Sequence, residues 1–221
     1  LRGAKASNGY QSKAFDQFLR NREIIAARLE NRYAGSRYPK AGFIAGETNL
    51  GGNVYNPDQN GGVNKNSPDV MIPAFIAAYS GRDAKKVGLT AFPSLRSLLP
   101  NWRITYDGLG KMKPMSKYFK AITLSHAYRC TYTVGSYTSY LNWVGLNDEM
   151  GFVKDELSGN PIPSSPFDIS SVSIVESFAP LLGVDVTMKN NVTLGAEYKD
   201  SRTLSLNSAA GQIVESMTRD I

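Results

Sequence analysis

The chain has only one cysteine, Cys130, and one histidine, His126, among 221 residues. One cysteine cannot close an internal disulfide, and two such residues cannot supply the Cys/His set of a zinc site. No apolar run approaches the roughly 18 residues of a transmembrane helix. The 25 Lys and Arg residues give a net charge of +6 but form no block of five or more, whereas nucleic-acid binding needs a concentrated basic surface. Metal chemistry, thiol chemistry, helical membrane spans and nucleic-acid partners are therefore not predicted.

Features of catalytic sites are also sparse. His126 has no Ser or Cys nucleophile in a strained turn beside it. The paired carboxylates Asp148–Glu149 and Asp155–Glu156 lie in polar sequence, where a solvated surface is expected. The Gly- and Asn-rich segment Gly46–Asp69 lacks both the lysine of a phosphate-binding loop and the spacing of an EF-hand. We predict an exposed loop there, and no enzyme activity, cofactor or metal.

What the chain does have is a very long alternating segment, from Phe119 to Trp143. Side chains alternate across a strand, so one face is apolar and the other polar. From Ile122 to Val134 a strand climbs roughly 40 Å, and a tilt of about 45° reduces this to roughly 28 Å, a bilayer thickness. The apolar face would carry Ile122, Leu124, Tyr128, Cys130, Tyr132 and Val134.

Three further segments have the same design: Trp102–Asp107, Val172–Met188 and, after the tight turn Lys189–Asn191, Val192–Asn207. Four amphipathic strands favour an all-β fold, and their length favours a fragment of a very large transmembrane antiparallel β-barrel. Between Val144 and Ser170 alternation is lost and turn formers are frequent, so we predict an exposed loop. The alternative is a secreted, soluble β-sandwich that serves as a binding or adhesin module.

Helical periodicity is confined to residues 1–100, in Phe15–Leu29 and in a segment that begins after Ser67 and ends near Gly81. Pro73 should kink or shorten the second helix. We predict that residues 1–100 form a loop and short-helix insertion, and that residues 101–221 form the barrel strands. Outer-membrane barrels have long external loops, so we predict that the insertion forms part of an extracellular cap; the alternative is a periplasmic, plug-like insertion. The chain begins without Met, and we expect it to be a piece of a larger protein.

Several segments, in order, resemble the C-terminal part of the SprA/Sov family, the giant outer-membrane barrels of the type nine secretion system in Bacteroidetes. They are NSPDVMIPAFIAAYSGRDAKKV (66–87), LPNWRITYDGL (99–109), ITLSHAYRCTYTVGSY (122–137), SVSIVESFAPLLGVDVTMKN (171–190) and LGAEYKDSRTLSLN (194–207). Ala127 and Cys130 stand where the family favours Gly and Ser.

The resemblance implies a translocon of the bacterial outer membrane that exports folded cargo proteins and is linked to gliding motility. It also implies partners: the shuttle protein PorV or a plug protein, which cover a lateral opening in the barrel wall. Membrane lipid would surround the rest of the barrel wall.

The alternation predicts which side chains face the conduit. The candidates that line the lumen are Arg129, Thr131, Thr133, Asp185, Glu197 and Lys199. On the opposite, outward face stand His126, Glu176, Asp200 and Arg202, although a charge at mid-bilayer costs a barrel roughly 2 to 4 kcal/mol. Either a bulge flips the register around Asp200, or these four face a partner protein instead of lipid.

Overall fold

The computed structural model describes residues 6–7, 11–44, 53–90, 92, 100–147 and 150–221. In chain order the elements are β1 (Ala6–Ser7), β2 (Gln11–Ser12), α1 (Lys13–Tyr33), β3 (Arg37–Tyr38), β4 (Asn53–Val54), α2 (Pro57–Asn60), α3 (Pro68–Ser80), β5 (Trp102–Tyr106), a 3-10 turn (Leu109–Lys111), β6 (Phe119–Ser139), β7 (Trp143–Asn147), β8 (Met150–Lys154), β9 (Pro161–Ser164), β10 (Phe167–Met188), β11 (Thr193–Asn207) and β12 (Gln212–Asp220).

Strands predominate, and the sheets are antiparallel, as predicted. The largest sheet has the strand order β12-β11-β10-β6-β5. A smaller sheet, β7-β8-β9, is inserted in sequence between β6 and β10. The chain forms two compact units: the first holds residues 1–93, 134–172 and 206–212, and the second holds residues 94–133, 173–205 and 213–221.

The long strands lie where the alternation predicts them. β6 has 21 residues, β10 has 22 and β11 has 15. Globular strands usually have about five or six residues. The turn between β10 and β11 is closed by Asn191, whose φ of 65° is the left-handed conformation that asparagine tolerates.

The helix after Ser67 is also confirmed. Pro68 occupies its first turn, and Gly81 ends it with a φ of 69°, which a residue without Cβ adopts at no steric cost. The helix continues past Pro73 to Ser80, so of the two predicted effects of this proline, a kink or a shortening, the shortening does not occur. Burial on nearly all sides holds this segment helical, since Val70, Ile72 and Phe75 are all fully enclosed.

The exposed loop predicted for Val144–Ser170 is wrong: it contains β7, β8 and β9, and Phe152 in β8 is 0% exposed. Glycine and proline hide the alternation in this segment. A Cβ at Gly145 would lie 2.7 Å from the Trp143 ring, and one at Gly151 would lie 2.5 Å from it. The indole therefore needs both glycines in order to lie flat on the sheet.

Part of the predicted loop Gly46–Asp69 is also regular, because it contains β4 and α2. Residues 46–52 lie outside the described residues, as do Asp148 and Glu149.

The core of the first unit is an aromatic cluster formed by Tyr33, Tyr38, Tyr55 and Phe152, with ring centroids 5.3 to 6.0 Å apart. The Tyr33 hydroxyl donates to the Gly151 carbonyl at 3.0 Å, and the Tyr38 hydroxyl donates to the Pro161 carbonyl at 2.9 Å. Rings from α1 and β3 are thereby bonded to β8 and β9. The N-terminal helices and the β7-β8-β9 sheet thus share one core.

Candidate functional site: a sheet with two unlike faces

One face of the long strands is polar and exposed. A Cβ at Gly195 would lie 2.8 Å from the Asp185 carboxylate, and a Cβ at Gly183 would meet the Ser125 hydroxyl. These contacts place the odd-numbered residues of β6, β10 and β11 on a common face. All six predicted lumen residues belong to it, and all six are exposed. They are Arg129, Thr131, Thr133, Asp185, Glu197 and Lys199.

Ionic contacts on this polar face are weak. Lys199 Nζ lies 2.8 Å from Glu197 Oε2, and both side chains are about half exposed (48% and 47%). Exposed pairs of this kind typically contribute about 0 to 1 kcal/mol. The polar face is therefore an exposed surface with charges of both signs.

The opposite face carries the even-numbered residues of β5, β6, β10 and β11. Within β5 and β6, Trp102 pairs with Tyr128, Ile104 with His126 and Tyr106 with Leu124. Near the turn between β10 and β11 this face is apolar, yet it is uncovered: Leu182 is 53% exposed and Leu194 is 56% exposed.

Burial on this apolar face changes along the strands. On the side of the β11–β12 turn, Ile174 is 8% exposed and Leu204 is 1% exposed. On the side of the β10–β11 turn, Leu182 and Leu194 are open, and so is Ile104, which pairs with His126. Ile122 is an exception on β6, since it is buried beside the 3-10 turn at Gly110. The apolar face therefore has a covered half and an exposed half.

Between the two halves runs a row of polar side chains, which we call the polar stripe. It comprises His126, Tyr128, Glu176, Asp200, Arg202, Glu215 and Arg219, spread over β6, β10, β11 and β12. The strands are neighbours in the sheet. All four residues that were predicted to face a partner lie on these neighbouring strands.

Each of those four residues has a contact inside the sheet. Tyr128 Oη donates to Glu176 Oε1 at 3.0 Å, and His126 Nδ1 lies 2.7 Å from the Leu181 carbonyl oxygen. Arg202 Nε donates to Glu215 Oε1 at 2.8 Å, and these side chains are only 10% and 21% exposed. Arg219 Nε lies 3.9 Å from Asp200 Oδ1. The stripe is a set of cross-strand pairs, which lowers the cost of its charges.

Aromatic rings lie at the same level as the stripe. Trp102 stacks on Tyr128 with centroids 4.5 Å apart, and Phe178 packs on Tyr128 at 4.9 Å. The His126 ring lies 5.7 Å from Phe178. β5, β6 and β10 thus contribute one continuous aromatic row.

Sequence reasoning missed the acceptor and donor on β12, Glu215 and Arg219. Both were detectable, because antiparallel pairing across the turn 208–211 brings β12 residues back beside Asp200 and Arg202. It also missed Tyr128 as a partner of Glu176, since their pairing depends on β6 lying next to β10 across an insertion.

A cavity of about 480 Å³ lies in the first unit. Its described lining includes Leu29, Tyr33, Asp69, Met150 and Phe167. The Asp69 carboxylate accepts a hydrogen bond from the Ser165 amide at 2.9 Å, and Tyr33 is bonded to Gly151. The polar groups of this lining hold the walls together.

In the part of the chain that the structure describes, no helix is long and apolar enough to cross a membrane. Among the same residues no group of three or more His, Cys, Asp or Glu side chains is placed to hold a metal ion.

No protein-family model matches the chain, and no curated protein matches it.

Proposed function

We propose that this chain forms part of the wall of an outer-membrane channel that conducts folded cargo proteins in type nine secretion. One observation carries the proposal: the sheet has a polar, hydrated face and, behind it, an apolar face whose half near the β10–β11 turn is uncovered. Soluble antiparallel sheets bury their apolar face against another layer. A barrel wall in a membrane instead presents its apolar face to lipid.

Strand length supports this proposal. In the second unit, β6, β10 and β11 contribute residues 119–133, 173–188 and 193–205. A strand tilted by about 45° needs about 9 to 11 residues to cross the hydrocarbon. All three segments exceed that length.

The alternative, a soluble β-sandwich, would need a second sheet over the apolar face. Among the described residues of the second unit, Ile104, Leu182 and Leu194 remain more than half exposed. This exposure favours the membrane proposal over the binding module.

The mechanism we propose for such a wall is passive. A polar surface with small hydroxyls such as Thr131 and Thr133 offers cargo no strong binding site, so that unrelated proteins slide past. The size of the closed parent barrel sets what can pass, and energy comes from elsewhere. By resemblance to the SprA/Sov family, the partners are the shuttle protein PorV, a plug protein and the cargo.

Cysteine labelling tests the proposal. In a Cys130→Ala background, Thr131→Cys and Leu194→Cys each place a thiol at an exposed position, on opposite faces of the sheet. We expect a water-soluble maleimide to label residue 131 in intact membranes, and residue 194 only after the protein is unfolded. Equal labelling of the two positions in the folded state would contradict a membrane wall and favour the soluble module.

A further inference from the structure

We propose that the polar stripe lies at headgroup depth, at one boundary of the membrane, and that the exposed half of the apolar face contacts the acyl chains. This inference rests on the proposed function, because it assigns a depth within the membrane to residues of the same sheet.

The spacing along the strands supports this depth. The stripe residues of β10 and β11 lie about ten residues from the turn that joins these strands: Glu176 stands twelve before Met188, and Asp200 and Arg202 stand eight and ten after Val192. Met188 N donates to the Val192 carbonyl at 2.8 Å and closes that turn. Ten residues rise about 33 Å, and a tilt of about 45° leaves about 23 Å. The apolar band of outer-membrane barrels is about 25 Å tall. The distance from the stripe to the turn is therefore one hydrocarbon thickness.

On β6, too, about ten residues separate the β10–β11 turn from the stripe. The Lys189 amide donates to the Tyr118 carbonyl at 3.2 Å, which places Tyr118 beside the turn. Tyr128 of the stripe lies about ten residues further along the strand. Tyr118 is 70% exposed and would mark the opposite boundary. Lys120 lies two residues from Tyr118, where a long side chain can reach the headgroups.

The chemistry of the stripe suits a boundary. A charge on the lipid face costs about 2 to 4 kcal/mol at the midplane but only about 0 to 1 near the interface. Placed there, the Arg202–Glu215 and Asp200–Arg219 pairs need no further compensation. Trp102, Tyr128 and Phe178 add an aromatic row, and barrels carry such rows at both interfaces.

Burial on the two sides of the stripe fits the same boundary. On the side of the β11–β12 turn, Ile174 and Leu204 are buried within protein and need no lipid. On the side of the β10–β11 turn, Leu182 and Leu194 are exposed. The apolar side chains that need lipid to cover them therefore lie on the side of the stripe that faces the β10–β11 turn. The assignment concerns depth, so it is compatible with a partner protein that meets the sheet at this level.

Spin labels measure this depth directly. In a Cys130→Ala background, cysteines replace Leu182 in the exposed half and Met217, which is 47% exposed and lies on β12 between Glu215 and Arg219. A third label replaces Val214, which is 62% exposed and points to the opposite side of β12 from Glu215, as a control on the hydrated face. The membrane-inserted protein is reconstituted in vesicles of phosphatidylcholine and phosphatidylglycerol.

We expect the ratio of oxygen to nickel-chelate accessibility to be several-fold higher at residue 182 than at residue 217, with residue 214 fully accessible to nickel. A ratio at residue 217 as high as that at residue 182 would place the stripe deep in the bilayer and overturn the inference, while leaving the membrane wall intact. Nickel access at all three labels would overturn both.

Trp102 gives a second measurement that needs no label at the stripe. In a Trp143→Phe variant it is the only tryptophan. Its fluorescence should be quenched more by lipids brominated close to the headgroup than by lipids brominated near the end of the acyl chain. The reverse order would overturn the inference even if the Met217→Cys variant fails to assemble.

Discussion

Arg202 Nε donates a 2.8 Å hydrogen bond to Glu215 Oε1, which joins β11 to β12 on the apolar face of the sheet. Neither side chain is well exposed. A partly buried charge without its partner loses hydration without compensation. The pair therefore explains how these two charges of the polar stripe remain on a face whose other residues are mostly apolar.

We expect Arg202→Met to destabilise the protein by about 2 kcal/mol, because it leaves the Glu215 carboxylate half-buried and unpaired. Urea unfolding followed by tryptophan fluorescence would measure the change. The double variant Arg202→Met/Glu215→Met should recover most of the loss, since an apolar pair can replace a buried ion pair. A double variant as unstable as the single one would show that the loss of stability comes from altered packing and not from an unpaired charge.

The matched control is the exposed pair on the opposite face. Lys199→Gln removes the contact with Glu197, and we expect a change within about 0.5 kcal/mol. A loss as large as that of Arg202→Met would indicate that the polar face is not hydrated.

Phe152→Ala should destabilise the first unit by about 3 to 5 kcal/mol, since it empties the centre of the aromatic cluster around Tyr33, Tyr38 and Tyr55. Near-ultraviolet circular dichroism during thermal unfolding would report the loss. Leu157→Ala is the control, because this side chain is 98% exposed and its removal should leave the melting temperature unchanged. A Phe152→Ala variant as stable as the wild type would contradict a shared core between α1 and the β7-β8-β9 sheet.

The long strand β6 and the short strands β8 and β9 differ in how well the sequence predicted them. β6 alternates over many residues, and no glycine or proline interrupts it before Gly135, so its pattern predicted both the strand and its faces. β8 and β9 are short and carry Gly151, Pro161 and Pro163, which show no period. Their burial depends on Tyr33 and Tyr38, which come more than a hundred residues earlier in the chain. No local pattern contains that information.

The same limit applies to the polar stripe. Alternation placed Glu176 and Arg202 on the apolar face, but their bonds to Tyr128 and Glu215 depend on which strands are neighbours. Pairing of β6 with β10 across an inserted sheet is a long-range property. Sequence could predict the charges and their face, but not their partners.

Alkaline pH should weaken the first unit. Burial raises the pKa of Tyr33 and Tyr38, and burial together with the nearby Glu30 carboxylate raises the pKa of Tyr55 to about 12. In the unfolded chain these phenols ionise near pH 10. Their contribution to stability is therefore complete below about pH 10 and is lost as the pH rises through the folded-state pKa values.

Denaturation midpoints measured at several pH values above neutrality would test this prediction. The midpoint should fall from about pH 10 upward, and Tyr55→Phe should flatten part of that fall because the variant has no phenol to ionise there. Tyr118→Phe is the control, since Tyr118 is 70% exposed. A midpoint that is constant to pH 12 in the wild type would contradict the raised pKa of Tyr55.

The last prediction concerns partner capture at the polar stripe. Replacing Arg202 alone would leave Glu215 unpaired, so a loss of binding could reflect misfolding. The double variant Arg202→Leu/Glu215→Leu removes the charges while keeping an apolar pair, and we expect it to assemble normally. The family resemblance implies the shuttle protein PorV as a partner. If PorV meets the sheet at the level of the stripe, less PorV should co-purify with this variant. Lys199→Leu, on the polar face, should leave co-purification unchanged. Normal capture by the double variant would mean that the stripe serves the membrane boundary alone, and equal losses in both variants would point to a general defect in assembly.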